Sequence, residues 1–231
     1  MLDFIRKPMV WKAWDDGHEV EIGRTQAFSI KSMQDLAVYS FLRGSVGRKI
    51  AEAGGGKSRV LQNLGKSNEC FNLDKFQGTD GGPDKEVHIP GVKNVKTYLS
   101  EFSPELEAGT FDAVFSISVV EHVLDARLRA FAEDGARLLK PGGLWVHAID
   151  MYLEDAESPQ ARRRFDQYRQ WLELGEFEPL GPIFDGELRF TADMISNPDN
   201  VMHMWGRVAP ALTELRQRSQ GASLLLAARK R

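Results

Sequence analysis

Three consecutive glycines, Gly54, Gly55 and Gly56, run straight into Lys57 and Ser58. Glycine has no β-carbon, so such a run lets the main chain turn sharply and come close to a ligand. A helix opening directly after it presents unpaired N–H groups to the same ligand. The spacing restricts what that ligand is. A dinucleotide fingerprint, GxGxxG or GxGxxA, needs a small residue where Arg59 stands. A phosphate loop, GxxxxGK[ST], finds its end in Gly56, Lys57 and Ser58, but Ala51 occupies the place of its first glycine. Both nucleotide-phosphate readings are therefore weakened. Further along, His122, His147 and Asp150 stand at or just beyond the ends of apolar runs. Parallel sheets collect ligands at such carboxyl ends, and imidazole and carboxylate are the usual agents of proton transfer.

These residues need a scaffold, and the chain spells one. Residues 49–53 have strand character and lead into the glycines, and 58–65 (SRVLQNLG) read as a helix with Ser58 near its N-cap. Residues 69–74 (ECFNLD) and 94–99 are the second and third strands, with a Gly- and Pro-rich loop over 77–91 between them. FDAVFSI (111–117) is an apolar run of strand length, the pattern of a strand buried on both faces. Residues 121–139 follow as a helix, with Leu124, Leu128, Phe131 and Leu138 on one side. The helix stops at KPGG (140–143), because proline disfavours helix in the residue before it, and LWVHAI (144–149) is the next buried strand. Strands alternating with helices at this spacing predict a parallel sheet with right-handed crossovers.

The flanks are less regular. Residues 31–43 show helical spacing, 1–30 are expected as a cap or the arm of a homodimer, and 1–45 together as an N-terminal helical cap. The polar, aromatic segment 150–200 reads as an insertion over the carboxyl edge of the sheet, helical around 160–174. A late helix is expected over 207–219, and SLLLAAR (223–229) as a closing strand. The whole, 1–231, is read as one domain.

Composition excludes several classes. Thirty basic residues against 33 acidic ones give a formal net charge of −3, which is not the basic footprint of a nucleic-acid binder. No run approaches the ~18 apolar residues of a membrane helix. Cys70 is the only cysteine, so no internal disulfide forms, and a reducing, cytoplasmic setting fits. The local cluster Arg162, Arg163 and Arg164 would suit an anionic acceptor, although a solvated helix face is its ordinary meaning.

Glu52, Gly54, Gly56 and Ser58 resemble motif I of the class I S-adenosylmethionine-dependent methyltransferases, (D/E)xGxGxG, with Ser58 in place of the third glycine. NLD (72–74), FDAVFSISVVEHV (111–123) and LLKPGGLWVHAI (138–149) resemble later segments of that family, in the same order. The resemblance implies an α/β, doubly wound, Rossmann-like sheet, mostly parallel with an antiparallel C-terminal strand and helices on both faces. It implies S-adenosylmethionine as cofactor. Ala53, Gly54, Gly55 and Gly56 would line its methionine part, Glu52 would steady the turn or the amino group, and Ser58 would follow. Asp74, with Lys75 beside it, would hold the ribose. Tyr98 or Leu99 would flank the adenine, and Ser116 and Ile117 would offer main-chain contacts beside the methionine.

Methyl transfer is an in-line displacement, so holding the acceptor near the methyl carbon supplies much of the rate. A hydroxyl acceptor must also lose its proton. His122 is the leading base, with His147 and Asp150 as base or ligand at the end of the following strand. Related O-methyltransferases place an acid three residues before the EH pair that Glu121 and His122 match. Here that position is Ser118, a poor ligand, so no metal is expected. The expected partner is a small-molecule or glycan acceptor, methylated at oxygen. An N-methyltransferase, a non-catalytic binding module and a nicotinamide oxidoreductase are the alternatives; Arg59 argues against the last.

Overall fold

The apolar runs become the inner strands of one sheet. The computed structural model describes residues 1–21, 23, 29–79, 82–173, 175–189, 203–204 and 220–231. Within them the strands are β1 (Leu2–Phe4), β2 (Lys49–Ala53), β3 (Glu69–Leu73), β4 (Val92–Val95), β5 (Phe111–Ile117), β6 (Leu139–Leu153), β7 (Phe177–Pro179), β8 (His203–Met204) and β9 (Gln220–Lys230). Their order is β1-β9-β6-β5-β2-β3-β4. The strands from β6 to β4 run parallel. β9 enters antiparallel to β6, pairing from Leu144 opposite Arg229 to Leu153 opposite Gln220. Short strands β8, β1 and β7 cover successive stretches of the other edge of β9. Pairing both edges removes an exposed strand edge that would otherwise invite association.

The helices are α1 (Lys7–Asp15), α2 (His18–Glu21), α3 (Ile30–Leu42), α4 (Arg59–Leu64), α5 (Asp125–Leu138) and α6 (Pro159–Glu173). Side chains of α1, α3 and α4 form one core with Ile50, Phe115, Val146 and Ala148. On the other face, Leu128, Phe131 and Leu138 of α5 and Phe165, Tyr168 and Trp171 of α6 pack on Phe111, Trp145 and Ile149. Helices therefore cover both faces, as the alternation of elements predicts. Gly135 shows how tight this second layer is. A β-carbon there would lie 2.1 Å from Cζ3 of Trp145, so α5 tolerates a helix-weakening glycine to admit the indole. Among the described residues no helix is long and apolar enough to cross a membrane.

Several boundaries differ from the sequence reading, each for a non-local reason. The third strand is Val92–Val95, not 94–99, because its length follows its partner β3; Thr97, Tyr98 and Leu99 leave the sheet. The strand expected at 144–149 runs from Leu139 to Leu153, carried outward by the ladder to β9. The helix expected from 121 begins at Asp125, after a 3₁₀ turn at Val120–His122 and two extended residues. Leu124 consequently lies 70% exposed instead of on the packed side. The helix expected over 207–219 lies outside the described residues.

This topology fixes where a ligand can sit. From β2 the chain winds one way through β3 to β4, and then the other way through β5 to β6. The carboxyl ends of β2 and β5 thus flank the switch point of the sheet, where open α/β folds hold their ligands.

Candidate active site

Both sides of the switch point open into one cavity of about 660 Å³, within the usual range for small-molecule sites. Its wall includes Gly54, Gly55 and Gly56 from the end of β2, and Ile117, Ser118, Val119 and His122 from the end of β5. The glycine turn is forced by geometry. Gly54 and Gly56 have φ of +64° and +50°, a region that side chains rarely adopt. A β-carbon on Gly54 would lie 2.7 Å from Val119, so the turn and the β5 loop touch directly. One on Gly55 would lie 2.8 Å from Oδ1 of Asn72 and 2.9 Å from Cδ of Glu52. Ser58 then opens α4 by accepting from the N–H of Leu61 at 2.9 Å, the N-cap chemistry expected of it.

Beneath this turn lie oxygens without partners. Glu52 is buried, and neither its Oε2 nor Oδ1 of Asn72 has a hydrogen-bond partner. Burial pushes the Glu52 carboxyl up to about 8, the nearby charges of Asp35 and Asp74 add to this, and a hydrogen bond from Ser58 opposes it. At physiological pH the side chain is therefore mostly protonated. Such orphaned groups beside a glycine cradle fit a cofactor that carries its own hydrogen-bonding groups.

Asp74 stands past β3 at the cavity wall. It accepts from the N–H of Phe76 at 2.7 Å and of Gly56 at 3.3 Å, which ties the acid to the glycine turn and leaves lone pairs for a ligand. Tyr98 and Leu99, displaced from the sheet, line the same wall. Tyr98 donates from its hydroxyl to Gln77. Lys75 lies over the Tyr98 ring, 4.6 Å from its centre, and pairs with Glu101 at 2.5 Å; it is not part of the wall. Ala53 and Glu52 complete this half of the cavity.

The other half is built on the turn after β5. Ser118 has φ of +52°, a strained conformation for a residue with a side chain. Its Oγ donates to Oε1 of Gln34 at 2.8 Å and approaches Oδ1 of Asp150 at 3.2 Å. Gln34, fully buried in α3, donates in turn to Asp150 and to Ser223. Asp150 therefore stands one side chain behind the wall, with Lys31 at 4.0 Å. Gln34 and Lys31 are absent from the sequence reading, because only the tertiary fold brings α3 to the end of β5. The imidazole of His122 lines the cavity with its side chain 45% exposed, and its Nε2 lies 3.9 Å from Oε1 of Glu121. Burial, and then the charge of Asp150, raise the Glu121 carboxyl well above its ordinary range.

His147 is a correction. It is fully buried on the α5/α6 face, with its ring centre 3.9 Å from that of Trp145 and 5.7 Å from that of Phe131. Its Nδ1 meets Oγ of Ser116 at 2.7 Å. Burial lowers its pKa to about 3, so it stays neutral, and it does not reach the cavity. Strand alternation explains this: residues three apart on β6 point to opposite faces, so His147 and Asp150 diverge. The Ser116 side chain shares the buried face of His147, and only its neighbour Ile117 touches the cavity. The three arginines of 162–164 are occupied in ion pairs, with Glu157, Asp125 and Asp125 respectively. Among the described residues no three His, Cys, Asp or Glu side chains converge as a metal site.

The arrangement can be set beside known proteins. Residues 51–147 match the model of the methyltransferase domain family. No curated protein sequence matches. Among solved structures, the chain is similar to geranyl diphosphate C-methyltransferase from Streptomyces coelicolor. The two are 14% identical with a TM-score of 0.55, over 100% of this chain and 92% of that one. It is also similar to phosphoethanolamine N-methyltransferase 2 from Haemonchus contortus, at 16% identity and a TM-score of 0.54, over 98% of this chain and 60% of that one. At such identities the likeness speaks for the fold, which agrees with the family match over the glycine turn, β3, β5 and β6. The family match over residues 51–147 and the sheet order both support a class I S-adenosylmethionine-dependent methyltransferase.

Proposed function

We propose that this methyltransferase transfers a methyl group to an oxygen atom of a small-molecule or glycan acceptor, with His122 as the general base. The observation that carries the reading is the continuity of the cavity: one space runs from Asp74 and Tyr98, past the glycine turn, to His122. Asp74 would hold the ribose, Leu99 and Tyr98 the adenine, and Gly54, Gly55, Gly56 and the main chain of Ile117 the methionine part. Glu52 and Asn72, with their unpartnered oxygens, would stabilise the turn from below. S-adenosylmethionine, when bound, supplies an electrophilic methyl group on a sulfonium. The chain orients the acceptor against it, and Nε2 or Nδ1 of His122 takes the acceptor's proton. Asp150, held by Gln34 and Ser118, supports the same side.

In this reading residues 1–45 act as the cap, since α3 brings Lys31 and Asp35 into the cavity wall. Residues 150–200 shape the acceptor side through α6; positions 190–200 of that segment lie outside the described residues. The relatives named above act at carbon and at nitrogen by their own names, so the acceptor atom needs a direct test. The protein would be incubated with methyl-labelled S-adenosylmethionine and a panel of hydroxyl, amine and carbon acceptors, with products read by mass spectrometry and NMR. The expected product carries the label as O–CH₃. A panel in which only N–CH₃ or C–CH₃ products form would overturn the oxygen assignment.

A further inference from the structure

We infer that Arg164 is a positioning residue for methyl transfer: its guanidinium clamps the turn Val120–Val123 and so sets the direction of His122. The inference deepens the reading of His122 as base and rests on it. A three-residue 3₁₀ turn has little to hold it. Among the described residues its internal main-chain bonds are His122 N–H to Val119 O at 3.0 Å and Val123 N–H to Val120 O at 3.1 Å. Val119, at its N-cap, offers no side-chain bond.

Arg164 supplies what the turn lacks. Nη2 donates to the carbonyls of Val120 at 3.0 Å, Glu121 at 3.1 Å and Val123 at 3.2 Å. Nη1 donates to the Val123 carbonyl at 3.2 Å and to Asp125 at 2.6 Å. Nε reaches the Tyr168 hydroxyl at 3.1 Å, and the guanidinium lies over the Tyr168 ring at 5.3 Å. Tyr168 is itself buried beside Trp171 in the core under α6. The turn bearing His122 is thereby anchored to the rigid interior of the molecule, on both sides of the histidine. Only a planar fork with several donors can meet these carbonyls together; an ammonium presents a single point. The neighbouring arginines do something different. Arg162 pairs with Glu157 within its own segment, and Arg163 lies 63% exposed beside Asp125.

The test compares Arg164→Lys with Asp125→Asn. The first keeps the positive charge and loses the fork; the second loses the ion pair and keeps the carbonyl contacts. Both proteins would be checked for folding by thermal melting and saturated with S-adenosylhomocysteine, whose affinity is read by calorimetry. Histidine-selective ¹³C,¹⁵N NMR then reports the environment of His122, and steady-state transfer is measured with the acceptor found by the panel. Arg164→Lys is expected to shift or broaden the His122 signals and to lower kcat by about 10- to 100-fold, with cofactor affinity and acceptor KM nearly unchanged, as misplacement of a reacting group does. Asp125→Asn is expected to keep the wild-type spectrum and kcat. A wild-type His122 spectrum and kcat in Arg164→Lys would overturn the clamp. So would equal losses in both variants, which would assign the effect to the ion pair, or a parallel loss of cofactor affinity, which would make it general damage. Full turnover in His122→Ala would remove the base assignment alone, so the two failures are distinguishable.

Discussion

Replacing His122 by alanine is expected to slow methyl transfer by ~10²–10⁴-fold, the range for loss of a general acid or base, with affinity for S-adenosylhomocysteine nearly unchanged. The expectation follows from where the residue sits. Its imidazole lines the cavity while its main chain belongs to the turn after β5, across from the glycines. Glu52, Asp74 and Leu99, which would face the cofactor, line the cavity independently of it. Single-turnover rates with the identified acceptor check the chemistry, and calorimetry checks the affinity. A folded His122→Ala protein with undiminished turnover would remove the base role from His122 and move attention to Asp150 behind the wall and to Asp35 and Lys31 in it. His147 would not inherit it, because that ring is enclosed by Trp145, Phe131 and Trp171.

The second large effect concerns stability and pH. The buried Glu52 carboxyl is pushed up to about 8 in the folded protein, whereas an exposed glutamate titrates near 4.3. The folded state therefore keeps a proton that the unfolded chain releases. The stability this contributes is complete below the unfolded pKa and is lost as pH rises through the folded one. The whole loss amounts to about 5 kcal/mol at 1.36 kcal/mol per pKa unit, of which about 2 kcal/mol falls above pH 6.5. Glu52→Gln has a neutral side chain of the same shape at every pH. Urea unfolding of the cofactor-free proteins between pH 6.5 and 9 should show wild type weakening relative to Glu52→Gln as pH rises. Glu121, also raised by burial, contributes equally to both proteins and cancels in the difference. His147, lowered to about 3, destabilises only on the acid side of this window. Parallel stability curves for the two proteins would contradict the account.

What the sequence revealed divides along the range of the interactions. Ser58 as an N-cap, the glycine turn and the inner strands β2, β3 and β5 are legible because capping, φ preference and apolar patterning are local. Strand ends are not local. β6 continues to Leu153 only because Gln220, some 67 residues on, pairs with it, and β1 is three residues long and gains its place from β9. The wall around the glycine turn lies mostly on those local signals, so Glu52, Gly54, Gly55, Gly56 and Asp74 meet one cavity, and Tyr98 and Leu99 join them from outside the strand expected to carry them. The wall beyond β5 depends on which side chains different helices bring together. Gln34 and Lys31 from α3, and Arg164 from α6, carry no motif that points to the turn after β5. One error was avoidable: the three-residue spacing of His147 and Asp150 on a strand already sends them to opposite faces.

Whether the cavity is built for S-adenosylmethionine is decided by calorimetric titration with S-adenosylhomocysteine, run against NAD and ATP. S-adenosylhomocysteine is expected to bind in about the micromolar range, with NAD and ATP much weaker. Asp74→Ala is expected to weaken S-adenosylhomocysteine binding by ~1–3 kcal/mol, the scale for hydrogen bonds to a charged group. NAD binding more tightly than S-adenosylhomocysteine, or an Asp74→Ala protein with unchanged affinity, would contradict this assignment.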